Sequence, residues 1–197
     1  MKTVETNVYS FDELTPKAQE RAFDHFCSTY DYPYENDNQE VLDEFCKLFD
    51  ISVDFVYGYA YTLQFIVRTK FQYGEEELSG VRLMAYLQNN FMKYLTLPKV
   101  WYNEKCTKKY FSKVFFEERE YPLTGYYIDE DILKPIYDFL SHPNSNVTFV
   151  KLMEKCIANY LKVAQADYDS VYSIEYFENE CKETEALFLE DGRVYNF

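Results

Sequence analysis

Glycine is scarce in this 197-residue chain, and its five copies never cluster. Phosphate-binding loops need closely spaced glycines, because backbone N–H groups must approach the phosphate oxygens. Gly74 and Gly80 come nearest to such a loop, but no Gly-Lys pair follows them. The sequence therefore disfavours the nucleotide-dependent enzymes of the common folds, and we predict no cofactor.

Histidine is rarer still, since only His25 and His142 are present to act as bases for a catalytic cysteine. The five cysteines form no C-x-x-C motif, and no pair of cysteines or histidines has zinc-ligand spacing. Cys27, Cys46 and Cys156 fall on apolar faces of predicted helices. We therefore predict buried, reduced thiols without a disulfide, and we predict no metal site.

Long apolar runs are also missing, because no stretch approaches 18 consecutive apolar residues. The opening residues Met1 to Glu5 lack the apolar segment of a signal peptide. We expect a cytoplasmic protein that does not interact with a membrane.

Aromatic residues and acids, in contrast, are abundant. The chain has 21 tyrosines and 17 phenylalanines, which predicts a folded protein despite a net charge of −14. Residues 1–54 carry a net charge of −9, residues 55–164 carry +2, and residues 165–197 carry −7. This acidic field disfavours nucleic acids as partners and favours a protein with a basic surface.

Apolar periodicity and capping residues predict five or six helices. These begin after Thr15 with Pro16 at the first position, near Asn38, at Ser79, at Asp129 or Asp131, at Phe149, and after Ser173. In the third helix, which we predict to run from Ser79 to Leu95, Val81, Met84 and Ala85 are expected to face inward.

Alternating patterns predict short strands between and beside these helices. They lie at Thr3–Tyr9, on both sides of Gly58, at Phe111–Glu120, and on both sides of Asp191-Gly192, which predicts a two-residue hairpin turn. The sequence predicts an α+β fold in which the helices pack on short antiparallel strands and hairpins. No linker interrupts it, so we predict one domain over residues 1–197.

Three groups of acids could in principle support a metal-assisted hydrolase. They are Glu75-Glu76-Glu77, Glu117-Glu118 with Glu120, and Asp129-Glu130-Asp131. No spacing singles out a catalytic pair, and we predict no catalytic residue. The basic run from Lys99 to Lys113 contains aromatics and could bind single-stranded nucleic acid. Against the acidic background of the chain we favour a structural role, in which the lysines protect a strand edge or pair with the acidic ends.

The acids of the two terminal regions have a functional interpretation as well. Carboxylates on a rigid surface, with exposed tyrosines between them, can imitate the phosphates of a nucleic acid. We predict that the partner-binding residues are Asp37, Glu40, Asp43, Glu44, Glu175, Glu178, Glu180, Glu183 and Glu185.

Three segments resemble, in the same order, a broad group of phage and prophage proteins. These are the stretch from Val8 to Ala22 with its F-x-E-L motif at Phe11–Leu14, the stretch Tyr121–Asp129, and the terminal stretch Glu190–Tyr195. The resemblance assigns no functional residue, because the members of this group are mostly of unknown function. It implies a mobile-element protein in the cytoplasm of a bacterial host.

Small acidic phage proteins often act as anti-defence inhibitors, including anti-CRISPR and antirestriction proteins. By this analogy we expect a non-enzymatic inhibitor of a host nucleic-acid-handling protein, such as a CRISPR effector, that binds through its acidic surface. Two alternatives stay open, namely the metal-assisted hydrolase and an antitoxin-like regulatory interaction module.

Overall fold

The computed structural model describes residues 6–57, 63–70, 77–98, 100–102, 108–110 and 116–195. Within them, seven α-helices and six short strands occur, which confirms the α+β class. The helices are α1 Pro16–Thr29, α2 Glu35–Phe49, α3 Gly80–Asn90, α4 Met92–Leu95, α5 Ile128–Ser141, α6 Phe149–Val171 and α7 Ile174–Glu183. The strands are β1 Ile51–Tyr57, β2 Leu63–Thr69, β3 Thr96–Pro98, β4 Val100–Tyr102, β5 Lys108–Tyr110 and β6 Phe116–Glu118.

The chain divides into two compact units, with one boundary after Pro33 and a second within α6. Unit one combines Met1–Pro33 with Gln165–Phe197, and unit two is Tyr34–Ala164. The prediction that residues 1–197 form one domain stays a prediction.

Unit one joins the two ends of the chain. Tyr9 and Phe188 exchange two backbone hydrogen bonds, with N···O distances of 2.9 and 2.8 Å. Phe188 in turn pairs with Val194 in a single antiparallel bridge. Of the strand predicted at Thr3–Tyr9, residues 6–8 are not in a strand and residues 3–5 lie outside the described residues.

Two helices of unit one begin where the sequence predicts. The Thr15 hydroxyl accepts a hydrogen bond from the Ala18 N–H, and Pro16 occupies the first turn, where its missing N–H costs nothing. The Ser173 hydroxyl accepts the Tyr176 N–H in the same way at the start of α7. The core between these helices consists of Phe11, Leu14, Ala18, Ala22, Phe177, Cys181 and Phe188.

The terminal turn differs from the predicted two-residue turn. The Gly192 N–H donates to the Leu189 carbonyl, and the Leu189 N–H donates to the Arg193 carbonyl. Gly192 has a φ angle of +86°. Three residues therefore form the loop, which is the arrangement of a turn followed by a glycine in the left-handed region. Asp-Gly suits both kinds of loop, so the sequence does not separate them.

In unit two, β1 and β2 form the antiparallel hairpin that was predicted on both sides of Gly58, which itself lies outside the described residues. On β2, Val67 and Thr69 are buried while Ile66 and Arg68 are exposed, as period-two alternation requires. The short strands β3 and β6 form a second pair, and β4 and β5 form a third.

Helix α3 buries different residues from those predicted. Leu83 and Leu87 are fully buried, whereas Val81 is 67% exposed and Ala85 is exposed. This helix has apolar residues on more than one side, so the spacing of Val81, Met84 and Ala85 also matched the pattern of a buried helix face. The prediction of Val81 and Ala85 as core residues is wrong.

Asp129 has a different task from the helix cap that was expected of it. It lies inside the first turn of α5 and is fully buried. Its carboxylate accepts the backbone N–H groups of Leu123, Thr124 and Gly125 and the Thr124 hydroxyl, at 2.8 to 3.1 Å. A buried carboxylate needs such donors, and here they fix the loop that precedes the helix.

Pro135 lies inside α5 and leaves one carbonyl without its helical partner. Position 135 would normally donate its N–H to the carbonyl of Asp131, but proline has none. The side-chain amide of Asn159, on α6, donates to that carbonyl instead, at 2.6 Å. The next residue, Tyr160, donates its hydroxyl to the Asn38 carbonyl on α2 at 2.9 Å. Two successive residues of α6 thus bind the two neighbouring helices.

The packing of Gly192 gives a first prediction. A Cβ atom at this position would lie 2.1 Å from the Ala18 carbonyl oxygen, and both groups are backbone-fixed. Gly125, with a φ angle of +97°, has nothing within 4 Å of the same hypothetical atom. We expect Gly125→Ala to cost about 1 kcal/mol of unfolding free energy from backbone strain, and Gly192→Ala to cost about 2 to 4 kcal/mol.

Urea unfolding monitored by circular dichroism measures both values. Equal costs for the two substitutions would contradict the close approach of the terminal turn to α1.

The Pro135–Asn159 relation gives a second prediction, best tested by a double-mutant cycle. Asn159→Ala should cost about 1 to 3 kcal/mol in the natural chain, because the Asp131 carbonyl loses its donor. In a Pro135→Ala background the residue at 135 supplies an N–H, so Asn159→Ala should cost less by at least about 0.5 kcal/mol. Identical costs in both backgrounds would show that Asn159 does not replace the missing proline N–H.

Candidate interaction surface

Five tyrosines of unit one lie together where three segments of chain meet. Tyr30 and Tyr32 follow the end of α1. Tyr168 lies in the last turn of α6, Tyr172 comes directly after that helix, and Tyr176 lies in the first turn of α7. Successive ring centroids are 4.5 to 6.2 Å apart for Tyr168–Tyr172, Tyr32–Tyr168 and Tyr30–Tyr176. We call these five residues the tyrosine face.

Hydrogen bonds fix the tyrosine face from within. The hydroxyls of Tyr30 and Tyr176 are 3.1 Å apart, and the Tyr172 hydroxyl donates to the Tyr30 carbonyl at 2.8 Å. The Tyr32 hydroxyl donates to the Asp167 carboxylate at 2.7 Å. Tyr168 is 45% exposed and the other four are half-buried. The face is therefore held in one arrangement while it still presents aromatic surface to solvent.

The surroundings of the tyrosine face affect the ionisation of Tyr172. Partial burial raises the pKa of Tyr172, and the neighbouring Tyr168 hydroxyl and Asp31 carboxylate raise it further. The Tyr172 hydroxyl therefore stays protonated at neutral pH, because an ionised tyrosine there would be repelled by the Asp31 carboxylate.

Unit one concentrates the negative charge of the chain. Its 66 residues contain 15 acids and 5 bases, a net charge of −10, whereas the larger unit two has a net charge of −4. Two of the bases in unit one, Arg21 and Arg193, lie beside one acid, Asp191, at 3.4 and 2.8 Å. Hydrogen bonds from Arg193 lower the pKa of Asp191. The remaining carboxylates thus face few cations of their own unit.

Four of the five predicted partner-binding acids of the C-terminal region lie on α7, and the fifth, Glu185, lies two residues after its end. Glu175, Glu183 and Glu185 are exposed, and Glu178 and Glu180 are partly exposed. Glu180 and Glu183 lie four and seven residues after Tyr176, and therefore share its side of the helix. The structure brings this acidic set and the tyrosine face into the same unit.

The other four predicted residues lie on α2, in unit two. Asp43 accepts a hydrogen bond from Gln39 at 2.8 Å, and Glu44 pairs with Lys47 at 2.7 Å. The carboxylates of Asp37 and Glu40 raise the pKa of the Tyr126 hydroxyl. Part of this set thus interacts within its own unit.

The tyrosine face was not singled out from the sequence. Tyr168, Tyr172 and Tyr176 recur every fourth residue, a spacing that places side chains on one side of a helix. That signal was available, although α6 ends at Val171 and α7 begins only at Ile174. The contribution of Tyr30 and Tyr32 depends on contacts across about 140 residues, and no local pattern encodes them.

The catalytic alternatives gain little from the described residues. No group of three histidine, cysteine, aspartate or glutamate side chains among them could hold a metal ion. Of the three acidic groups, Asp129 is engaged in the loop before α5, while Glu75 and Glu76 lie outside the described residues. Most of the basic run from Lys99 to Lys113 lies outside them as well, and its described parts are β4 and β5.

The cysteines correct one prediction. Cys156 is buried as predicted, and Cys46 is only half-buried. Cys27 is exposed, so its prediction as a buried thiol is wrong. The apolar side of α1 is a narrow one centred on Ala18 and Ala22, and Cys27 lies beyond its edge. Burial raises the pKa of Cys156 and of Cys46, to about 11 for Cys46. Slight desolvation and the Asp24 carboxylate raise the pKa of the exposed Cys27. The described cysteines therefore lack the lowered pKa of reactive thiols.

Comparisons with protein-family models, with curated proteins and with solved structures find no match to this chain. In the part of the chain that the structure describes, no helix has the length and apolar character needed to span a membrane.

Thiol labelling tests the placement of the cysteines. In a Cys106→Ser variant at pH 8, a maleimide should modify Cys27 first, and Cys156 should react only when the protein unfolds. Because the pKa of Cys27 is raised, its labelling rate should keep rising by about tenfold per pH unit from pH 6 to pH 8. Peptide mapping by mass spectrometry identifies the sites. Equal rates for Cys27 and Cys156 would contradict the burial of Cys156.

Proposed function

We propose that the protein binds and inhibits a nucleic-acid-handling protein of a bacterial host, such as a CRISPR effector, and that unit one is the binding part. The observation that carries the proposal is the net charge of −10 on a unit of 66 residues that also presents the tyrosine face. A basic groove built for a phosphate backbone is the surface that complements such a field.

The chemistry of the surface supports imitation of a nucleic acid. Carboxylates on and beside α7 can occupy the positions of phosphates in front of lysine and arginine side chains. The tyrosine rings can cover the apolar or aromatic parts of a site on which bases otherwise stack. Since hydrogen bonds already fix the tyrosines, binding would require little additional ordering of their side chains.

The mechanism would be competition and not chemistry. The protein would occupy the groove at a fixed stoichiometric ratio and exclude guide RNA or target DNA from it. Association would be fast at low ionic strength and slower as salt rises, because complementary fields steer the encounter. A hydrolase would instead act below stoichiometric amounts, and the identity of the partner captured from host lysate would separate an antitoxin-like module from this inhibitor.

Reversal of the charges on α7 tests the proposal. The variant Glu178→Lys, Glu180→Lys, Glu183→Lys and Glu185→Lys should lose at least about a hundredfold in affinity for a partner captured from host lysate at low salt. Single Glu→Gln changes should each cost less than about threefold, since exposed charges contribute little individually. Affinities are measured with the purified partner at several salt concentrations, with guide RNA as competitor.

The matched control reverses the four predicted acids of unit two, with Asp37→Lys, Glu40→Lys, Asp43→Lys and Glu44→Lys. It changes the net charge by the same amount, and we expect a much smaller loss. If this control abolishes binding and the α7 variant does not, the interface lies on unit two. Binding that responds neither to salt nor to either reversal would refute imitation of a nucleic acid. Circular dichroism establishes that both variants remain folded.

A further inference from the structure

A groove of about 590 Å³ lies between α5 and α6, within unit two. Its charged lining is mostly basic, with Lys134 from α5 and Lys155 and Lys162 from α6, against a single acid, Asp138. This is the reverse of the whole chain, in which acids outnumber bases by 34 to 20. The groove therefore provides a local positive site on a negatively charged protein.

The three lysines are available to a ligand. Each is exposed, and none forms a salt bridge with an acid of the described residues. Acidic proteins usually neutralise their cations with nearby carboxylates, as Lys47 and Arg68 illustrate here. Unpaired ammonium groups on one concave surface favour an anionic ligand.

The helix pairing arranges these lysines around the groove. A short connection at residues 142–148 and the Asn159–Asp131 hydrogen bond set α5 and α6 side by side in opposite directions. Lys134, three residues after Asp131, therefore lies level with Lys155, four residues before Asn159. Lys162 is seven residues further along α6, about 10 Å at 1.5 Å per residue. Two lysines thus lie at the same level of the groove, and a third lies near one end.

Apolar side chains form part of the lining between these charges. Pro135, Val147 and Ala158 contribute to it together with the edges of the buried Phe139 and Leu152. His142, Asn144 and Asn159 add polar groups. The volume falls within the range of small-molecule sites. An apolar lining with cations at its edge suits a ligand that has a flat apolar part and an attached anionic group. A long polyanion would be repelled by the total charge of −14, whereas a small anion with one or two charges would meet a smaller penalty.

We propose that the groove between α5 and α6 binds a small phosphate-bearing ligand with a flat apolar ring, which is the chemistry of a nucleotide. Lys134 and Lys155 hold the phosphate between them as point charges, and the ring lies on Pro135 and against the accessible edge of Phe139. No glycine loop is needed, because side chains supply the positive charge instead of backbone N–H groups. This site is independent of the surface proposed on unit one.

Titration of the isotope-labelled full-length protein with adenosine 5′-monophosphate, followed by NMR, tests the site. The nucleotide should shift amide signals of α5 and α6, and inorganic phosphate and adenosine should each bind at least about tenfold more weakly. Lys134→Gln and Lys155→Gln should each weaken nucleotide binding by roughly tenfold, the effect of removing one charged hydrogen-bond donor. Lys151→Gln, also on α6 but outside the groove lining, is the matched control and should change the affinity less than twofold.

Several results would overturn the proposal. They are the absence of shifts at millimolar nucleotide, shifts confined to other elements, or an equal loss of affinity in the Lys151→Gln control. Phosphate that binds as tightly as the nucleotide would remove the role of the apolar ring. Tighter binding of a peptide that copies residues 175–185 would identify the occupant as an acidic protein segment, such as that of a second copy of the chain.

Discussion

The backbone hydrogen bonds between Tyr9 and Phe188 close the two ends of the chain into one unit, and the proposed interaction surface depends on this closure. Phe188 is 1% exposed and contacts the rings of Phe11 and Phe177, so the closure is supported by aromatic packing as well. Closure brings together acids that repel one another. Burial of the shared apolar core must offset that repulsion, because among the described residues of this unit the ion pairs formed by arginine involve a single carboxylate, that of Asp191. The accumulation of charge thus follows directly from the pairing of the termini.

In unit two, Asn159 and Tyr160 on α6 join neighbouring helices, much as the Tyr9–Phe188 hydrogen bonds join the chain ends in unit one. A proline inside a helix normally weakens it, since one carbonyl loses its donor. Here the carbonyl of Asp131 becomes an acceptor that Asn159 can reach from another helix. A local defect in α5 is thereby converted into a contact that fixes the register of α5 against α6. The same register sets Lys134 level with Lys155, so the groove depends on the helix pairing that also accommodates Pro135.

The sequence predicted best what short-range physics determines. The cap at Thr15, the proline after it, the cap at Ser173 and the alternation of β2 all depend on neighbours within a few residues. Prediction from the sequence failed where two buried faces of a helix, or two loop lengths, have similar energy. Val81 and Leu83 are both apolar residues of α3, and only tertiary packing chooses between them. Asp191-Gly192 likewise suits a two-residue and a three-residue loop, and the close approach to Ala18 accompanies the second.

The candidate surface was only half predictable for the same reason. The acids on and just after α7 lie close together in the sequence, so a count of charges along the chain reveals them. The tyrosine face combines residues 30–32 with residues 168–176, and it exists only because the chain ends meet. A charge count alone would describe many acidic proteins, since solvated acidic faces are common. Fixed tyrosine hydroxyls and rings among the carboxylates add shape and hydrogen-bond donors to the field. This combination is the reason for our proposal that unit one binds a specific macromolecular partner.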